Sequence, residues 1–186
     1  MEPPVYIYAD ESCLGNVRRR ASPGGAGGVL EVWRDGRWVR RDFWISEPAT
    51  TNNRMAIRSG IEGLSALRRP SRVIFTSDSE YLVKGMTAWV PSWIRRGWKR
   101  RTGPVENVDL WRELVDVAAR HDVEWRWIRG HAGHPQNEYA NHLAIRAAKK
   151  QSDSGGLVAS GFEAWLESER EKGRYLDFDE FAPPET

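Results

Sequence analysis

The spacing of apolar residues changes several times along the chain, and each change predicts an element. Val5 to Ala9 is a short β-branched and aromatic run ending at Asp10, which predicts a strand; Gly15 and the glycine-rich SPGGAGG stretch then predict a loop. Two more apolar-rich runs, 27–34 and 37–45, are separated only by Asp35-Gly36. That dipeptide supplies the positive φ angles of a tight two-residue turn, so the two runs predict a hairpin. From Thr51 the period lengthens, with Ile57, Ile61, Leu64 and Leu67 on one helical face, Thr51 or Asn52 placed to cap the start, and Pro70 unable to continue the helix. Val73 to Thr76 reads as a buried strand, and Tyr81, Leu82, Met86 and Trp89 predict a helix after Asp78 that Pro91 limits. Leu110, Leu114, Val117 and Ala118 mark another helix, Val123 to Ile128 another strand, and Asn137 to Ala148 the last helix of the body.

Three strands, a helix, a strand, one or two helices, a strand and a helix predict a mixed α/β fold, with the sheet covered by helices. Asp10 and Asp78 both fall at the carboxyl ends of strands. If those strands are parallel neighbours, the two acids meet at the switch point where open α/β sheets place their sites. The division expected is a body over 1–150, a Ser/Gly-rich linker over 151–160 and an acidic extension over 161–186.

The 186 residues suit a single domain, at about 150 residues per domain. No uncharged apolar run approaches the roughly 18 residues of a membrane span, so no membrane partner is expected. The start lacks the pattern of an export signal, and Cys13 is the only cysteine, which excludes a disulfide framework and a cysteine-rich zinc site. A reducing cytoplasm is the expected location. The formal net charge of +2 hides a polarity: residues 161–186 carry −5 and the remainder +7. A basic body makes a polyanionic partner plausible. Trp89, Trp93 and Trp98 interleave with Arg95, Arg96, Lys99, Arg100 and Arg101, the pairing of flat rings with cations that nucleic-acid binding uses.

Two aspartates held together repel as bare charges, and a divalent cation between them relieves that repulsion while creating a Lewis acid. Hard oxygen donors favour Mg2+, with Mn2+ as a substitute. Taken singly, a strand-end aspartate is more often a cap or turn residue. Other motifs carry less: SPGGAGG lacks the Gly-Lys-Ser/Thr ending of a phosphate loop, and His131 with His134 has no further ligand nearby to complete a zinc site.

YADESCLGN, TTNNRM, FTSDSEYLVKGMTAW, WIRRGWKRRTGPVENVDLW and WIRGHAGHPQNEYAN, in this order and spacing, resemble bacterial ribonuclease HI over residues 5 to 150. The resemblance implies a ribonuclease H-like fold with a five-stranded mixed sheet of order 3-2-1-4-5. It implies a monomeric endonuclease that hydrolyses the RNA strand of RNA/DNA hybrids by a two-magnesium mechanism. Carried over by position, Asp10 and Asp78 are metal carboxylates, and His131 is the loop histidine that assists proton transfer or product release. Asn16, Thr51, Asn52 and Asn53 match polar contacts to the hybrid, and Trp89, Trp93, Arg95, Arg96, Trp98 and Lys99 match a basic protrusion that grips the DNA strand. Arg18, Arg19 and Arg20 stand as an insertion relative to the family's loop.

Two family acids are missing: Ala56 stands where a glutamate is expected, and Asn141 where an aspartate is expected. An amide carbonyl still ligates Mg2+, so Asn141 stays in the catalytic and metal set, but a methyl group offers no ligand. Glu62 lies on the wrong helical face to replace position 56. Glu11 should point to the opposite side of its strand from Asp10, which leaves Glu138, three residues before Asn141, as the best-placed nearby acid. Two readings follow: a ribonuclease H whose activity is reduced or abolished by Ala56 and Asn141, or a natural or engineered hybrid-binding protein that is catalytically impaired.

Overall fold

The computed structural model describes residues 2–15 and 21–184; Asn16 and the Arg18–Arg20 insertion lie outside them. Strands β1 (Val5–Cys13), β2 (Ser22–Arg34) and β3 (Arg37–Thr50) form an antiparallel meander. Helix α1 (Asn52–Ser65) crosses to β4 (Arg72–Ser77), which pairs parallel to β1 with Tyr8 opposite Thr76. After α2 (Glu80–Lys84), α3 (Val90–Arg95), the small hairpin of β5 (Lys99–Arg100) and β6 (Gly103–Pro104), and α4 (Val108–Ala118), strand β7 (Asp122–Trp127) adds parallel to β4. Helix α5 (Pro135–Lys150), the two-residue strand β8 (Val158–Ala159) and α6 (Phe162–Glu171) complete the chain. No helix among the described residues is long and apolar enough to cross a membrane.

The sheet order is β7-β4-β1-β2-β3-β8. Its first five strands, read from β3 to β7, reproduce the expected 3-2-1-4-5 order, and β8 is a sixth strand that the sequence reading does not contain. It comes from the segment expected as a linker, where Arg41 and Asp42 on the open edge of β3 pair with Ala159 and Val158. The glycine-rich stretch expected as a loop lies inside β2. Its glycines serve close packing: a Cβ on Gly27 would stand 2.6 Å from Leu143 Cβ, and one on Gly25 would collide with the Ala144 carbonyl, so α5 can lie directly on β2. Pro91 does not end the helical run. A π-helical turn over Gly85–Trp89 carries the chain from α2 into α3 and lets Pro91, in the first turn of α3, be accommodated without ending the run.

The sheet buries both faces. On one, Ile7, Leu64, Phe75, Leu82, Trp111 and Leu114 form the main core with α1 and α4. On the other, Val29 of β2 packs with Tyr139 and Leu143 of α5 and with Phe162 and Leu166 of α6. The extension is thus docked, and one polar node fixes it: buried Asp42 accepts from the Tyr139 hydroxyl at 2.6 Å, the Ser160 hydroxyl at 2.6 Å and the Gly161 amide at 2.9 Å. Arg40, also buried, reaches Glu31 at 2.7 Å, Glu163 at 3.1 Å and the Glu180 carbonyl at 2.9 Å. The acids of the extension meet the basic body mainly through this one residue, because a buried guanidinium needs partners at several of its donors.

Candidate active site

Because β1 and β4 are parallel neighbours, Asp10 near the end of β1 and Asp78 just beyond β4 emerge side by side. Asp10 is buried, and its Oδ1 accepts the Glu11 amide at 2.7 Å. Burial first, then the charge of Asp78, raises the Asp10 pKa from an ordinary 3.8 to about 8. Asp78 is braced on three sides. Asn137 Nδ2 donates to its Oδ2 at 3.4 Å, the Trp127 indole donates to its backbone carbonyl at 3.0 Å, and Gly130 passes so close that a Cβ there would strike Oδ2.

Glu11 is the third acid. Strand β1 runs on through it without a bend, pairing Glu11 with Ala26, so Glu11 faces the opposite side of the strand from Asp10, as alternation requires. That side is closed by α1. Ala9 belongs to the same buried cluster as Ala56, and Cys13 packs on the cluster containing Met55, which puts Glu11 between them against the first turn of the helix. Its Oε2 is sealed from solvent with no hydrogen-bond partner. Burial, then the charges of Asp10 and Asp78, hold the Glu11 pKa well above the ordinary value. Strand alternation tells which way Glu11 points but not what closes that side, so the role of Glu11 is not legible from its position alone. The available signal was Ala56 itself, a methyl group in place of an expected glutamate.

Ala56 is fully buried, with its carbonyl accepting from Ser59 Oγ at 2.7 Å. Asn141, half-buried, lies one helical turn beyond Asn137 on α5. Glu138 adds its charge to the field at Asp10, and its Oε1 stands 3.2 Å from Nδ1 of exposed His131. It therefore reaches the site both as a neighbouring charge and as the anchor of the histidine loop. Of the polar residues expected to touch substrate, Thr51 caps α1, its hydroxyl accepting from the Arg54 amide at 3.3 Å, while Asn52 and Asn53 are exposed beside it.

The protrusion forms a separate group with no hydrogen bond or ion pair to the acids among the described residues. Trp93 packs edge-on to buried Trp111, Trp89 packs against Tyr81 and Trp93, and Trp98 lies under the Arg112 guanidinium. These tryptophans are therefore structural on at least one face. Arg95, Arg96 and Lys99 are exposed, with no carboxylate partner among the described residues.

The donor set is all oxygen, and one buried carboxylate oxygen has no partner, which fits a hard divalent cation. No three such side chains among the described residues are already arranged around one point to hold a metal, so the carboxylates would have to close on it.

A mixed sheet of this order, with acids converging at the ends of its two central parallel strands, defines the ribonuclease H-like class. The RNase H family model matches residues 2–149, and the chain belongs to that family. It is similar to a Ribonuclease H from Stutzerimonas stutzeri, 44% identical over 151 residues that cover 79% of this chain and 95% of that protein. A Ribonuclease HI from Pseudomonas aeruginosa is 46% identical over 143 residues, covering 76% of this chain and 91% of its own. Among solved structures, LC9-RNase H1, described as a type 1 RNase H with the type 2 active-site motif, superposes with a TM-score of 0.84 at 58% identity, covering 89% of this chain and 82% of that one.

Proposed function

We propose that this chain is a working endoribonuclease that hydrolyses the RNA strand of RNA/DNA hybrids, with Asp10, Glu11 and Asp78 as its acidic set. The observation that carries the reading is Glu11, a sealed and unpartnered carboxylate oxygen within the electrostatic field of Asp10 and Asp78. A carboxylate oxygen cut off from water without a partner is costly, and an ion bound beside it removes the cost. The chain is also 58% identical to a relative described as having the type 2 motif on a type 1 RNase H. Acid sets on this fold therefore differ between relatives, and the neutral Ala56 does not by itself argue for lost turnover.

Asp10, Glu11 and Asp78 would hold Mg2+ or Mn2+, with the Asn141 amide oxygen as a neutral donor. The ion would offset charge on the scissile phosphate and acidify the attacking water. Asn137 orients Asp78 through its amide, and the tight passage of Gly130 fixes the loop that carries His131 over the site. His131, whose Nδ1 stands 3.2 Å from Glu138 Oε1, would hold or release a proton at the leaving 3′ oxygen. Asn52, Asn53 and the exposed Arg95, Arg96 and Lys99 would take the groove and the phosphates of the hybrid.

The test is a labelled RNA/DNA hybrid incubated with the protein and Mg2+ or Mn2+. Shortening of the RNA strand to products with 3′-hydroxyl and 5′-phosphate ends, abolished by E11Q as by D10N, is the result expected. Tight binding with the RNA left whole in both metals would replace this reading with that of a hybrid-binding protein.

A further inference from the structure

The chain has ten tryptophans, and nine of them meet an aromatic ring or a guanidinium: Trp125 meets Phe75, for instance, and Trp44 lies under Arg146. Trp127 is the exception among the described residues. It belongs to no buried cluster and its side chain makes one polar contact, the indole N–H to the Asp78 carbonyl at 3.0 Å. It is also 48% exposed. The ring is therefore held by one edge, on the outermost strand of the sheet, beside a residue of the acid cluster. The backbone beneath it is fixed as well, since the Ile128 amide donates to the Ser77 carbonyl at 3.1 Å. A large apolar surface kept oriented and exposed at the lip of a site is what a binding surface looks like.

We infer that Trp127 is a substrate-binding residue whose exposed indole face packs on the sugars of the RNA strand next to the phosphate addressed by the acids. This rests on the proposed role of Asp78. In a hybrid duplex the bases stack on one another, and what the strand offers outward is the face of each ribose and the phosphates. A flat indole suits the apolar C–H face of a sugar, independently of base sequence. The indole carries no charge, so its own contact is with sugar and not with phosphate, while the neighbouring Arg126 is engaged by Glu124 at 2.6 Å. It contributes affinity without releasing counterions.

Two measurements on the full-length chain decide it. In steady-state cleavage, W127A and W127L are expected to raise KM about three- to tenfold, the scale set by burying part of one aromatic face. The salt dependence of hybrid binding should not change, and W127F, which keeps a flat ring but loses the indole N–H to the Asp78 carbonyl, should hold KM within about twofold of the parent even where kcat falls. Unchanged KM in W127A and W127L would overturn the inference. So would equal losses of kcat in W127F and W127A at constant KM, which would reduce Trp127 to a brace for Asp78. In fluorine NMR of fluorotryptophan-labelled protein, the resonance missing from W127F should shift when hybrid is added without divalent cation. A resonance that stays still while others move would also overturn it. A parent protein that cleaves no hybrid would bring down the functional reading instead, and the NMR shift would still report on the contact.

Discussion

The backbone amide of Glu11 donates to Asp10 Oδ1 at 2.7 Å, so two consecutive acids are tied together toward the end of β1, which runs on to Cys13, while their side chains leave on opposite faces of the strand. One faces α5 and the other α1, and both feel Asp78. The arrangement supplies from β1 an acid that α1 does not, which leads to the first prediction. E11Q should lower kcat by at least about 10²-fold with little change in hybrid affinity, the scale of losing a preorganised charge at a reacting centre. Placing a glutamate on α1 by A56E should not raise the rate while Glu11 is present. Ala56 is fully buried, so the larger, charged side chain should instead destabilise the fold by about 1–3 kcal/mol. Chemical denaturation and single-turnover kinetics check the two halves separately.

Without a divalent cation, stability should fall as pH rises. Burial and the charge of Asp78 raise Asp10 from 3.8 to about 8, so between those values the folded protein holds a proton that the unfolded chain has released. Each step up in pH across that window favours unfolding, and the effect flattens above it. Glu11, raised for the same reasons, acts in the same direction. Thermal midpoints in chelator should therefore drop from about pH 4 to about pH 8, with a smaller drop in D10N. Mg2+ or Mn2+ added at pH 8 should restore the loss, since the cation takes the place of the proton. A midpoint in chelator that climbs over this range would contradict the burial of the pair.

His131 and Glu138 should act as a unit. The pair is 3.2 Å apart, and His131 adopts a left-handed backbone with φ of 53°, a conformation costly for a residue with a Cβ and here accompanied by the carboxylate anchor. H131A should cut kcat about 10²-fold at nearly constant KM. E138Q should cost less, and the double variant should lose no more than H131A alone. Additive losses would show that Glu138 acts through the acid cluster instead.

Binding should depend on salt through the protrusion. Arg95, Arg96 and Lys99 are exposed, and neutralising all three leaves the packing of Trp93 on Trp111 untouched. The slope of log affinity against log salt should shrink by up to about three, one per lost phosphate contact. An unchanged slope would assign these charges to solvation alone.

The extension should matter to stability. Phe162 is fully buried against Tyr139 and under the Arg40 guanidinium, so F162A should cost about 3–5 kcal/mol. Urea titration reads this directly, and a loss below about 1 kcal/mol would mean that α6 is only loosely held.

Local pattern was enough for most of the scaffold. Short β-branched and aromatic runs mark β1, β4 and β7; the Asp35-Gly36 turn marks the β2–β3 hairpin; the 3.6-residue period marks α1, α4 and α5. The same pattern brings Asp10 and Asp78 toward the carboxyl ends of their strands, although β1 runs on to Cys13. These signals survive in the chain because a strand or an amphipathic helix repeats its own rule every two to four residues.

The features that depend on distant partners were not legible in that way. SPGGAGG reads as a loop until α5, more than a hundred residues later, requires a surface without Cβ atoms to lie on. Val158 and Ala159 read as linker until the open edge of β3 offers them hydrogen bonds. Glu11 reads as an acid facing away from the site until α1 closes on that side, and only then does one of its oxygens lose contact with water beside two other acids. Periodicity is a property of neighbours in the chain, whereas burial, and with it the chemistry of a carboxylate, is set by whichever element closes over it from elsewhere in the fold.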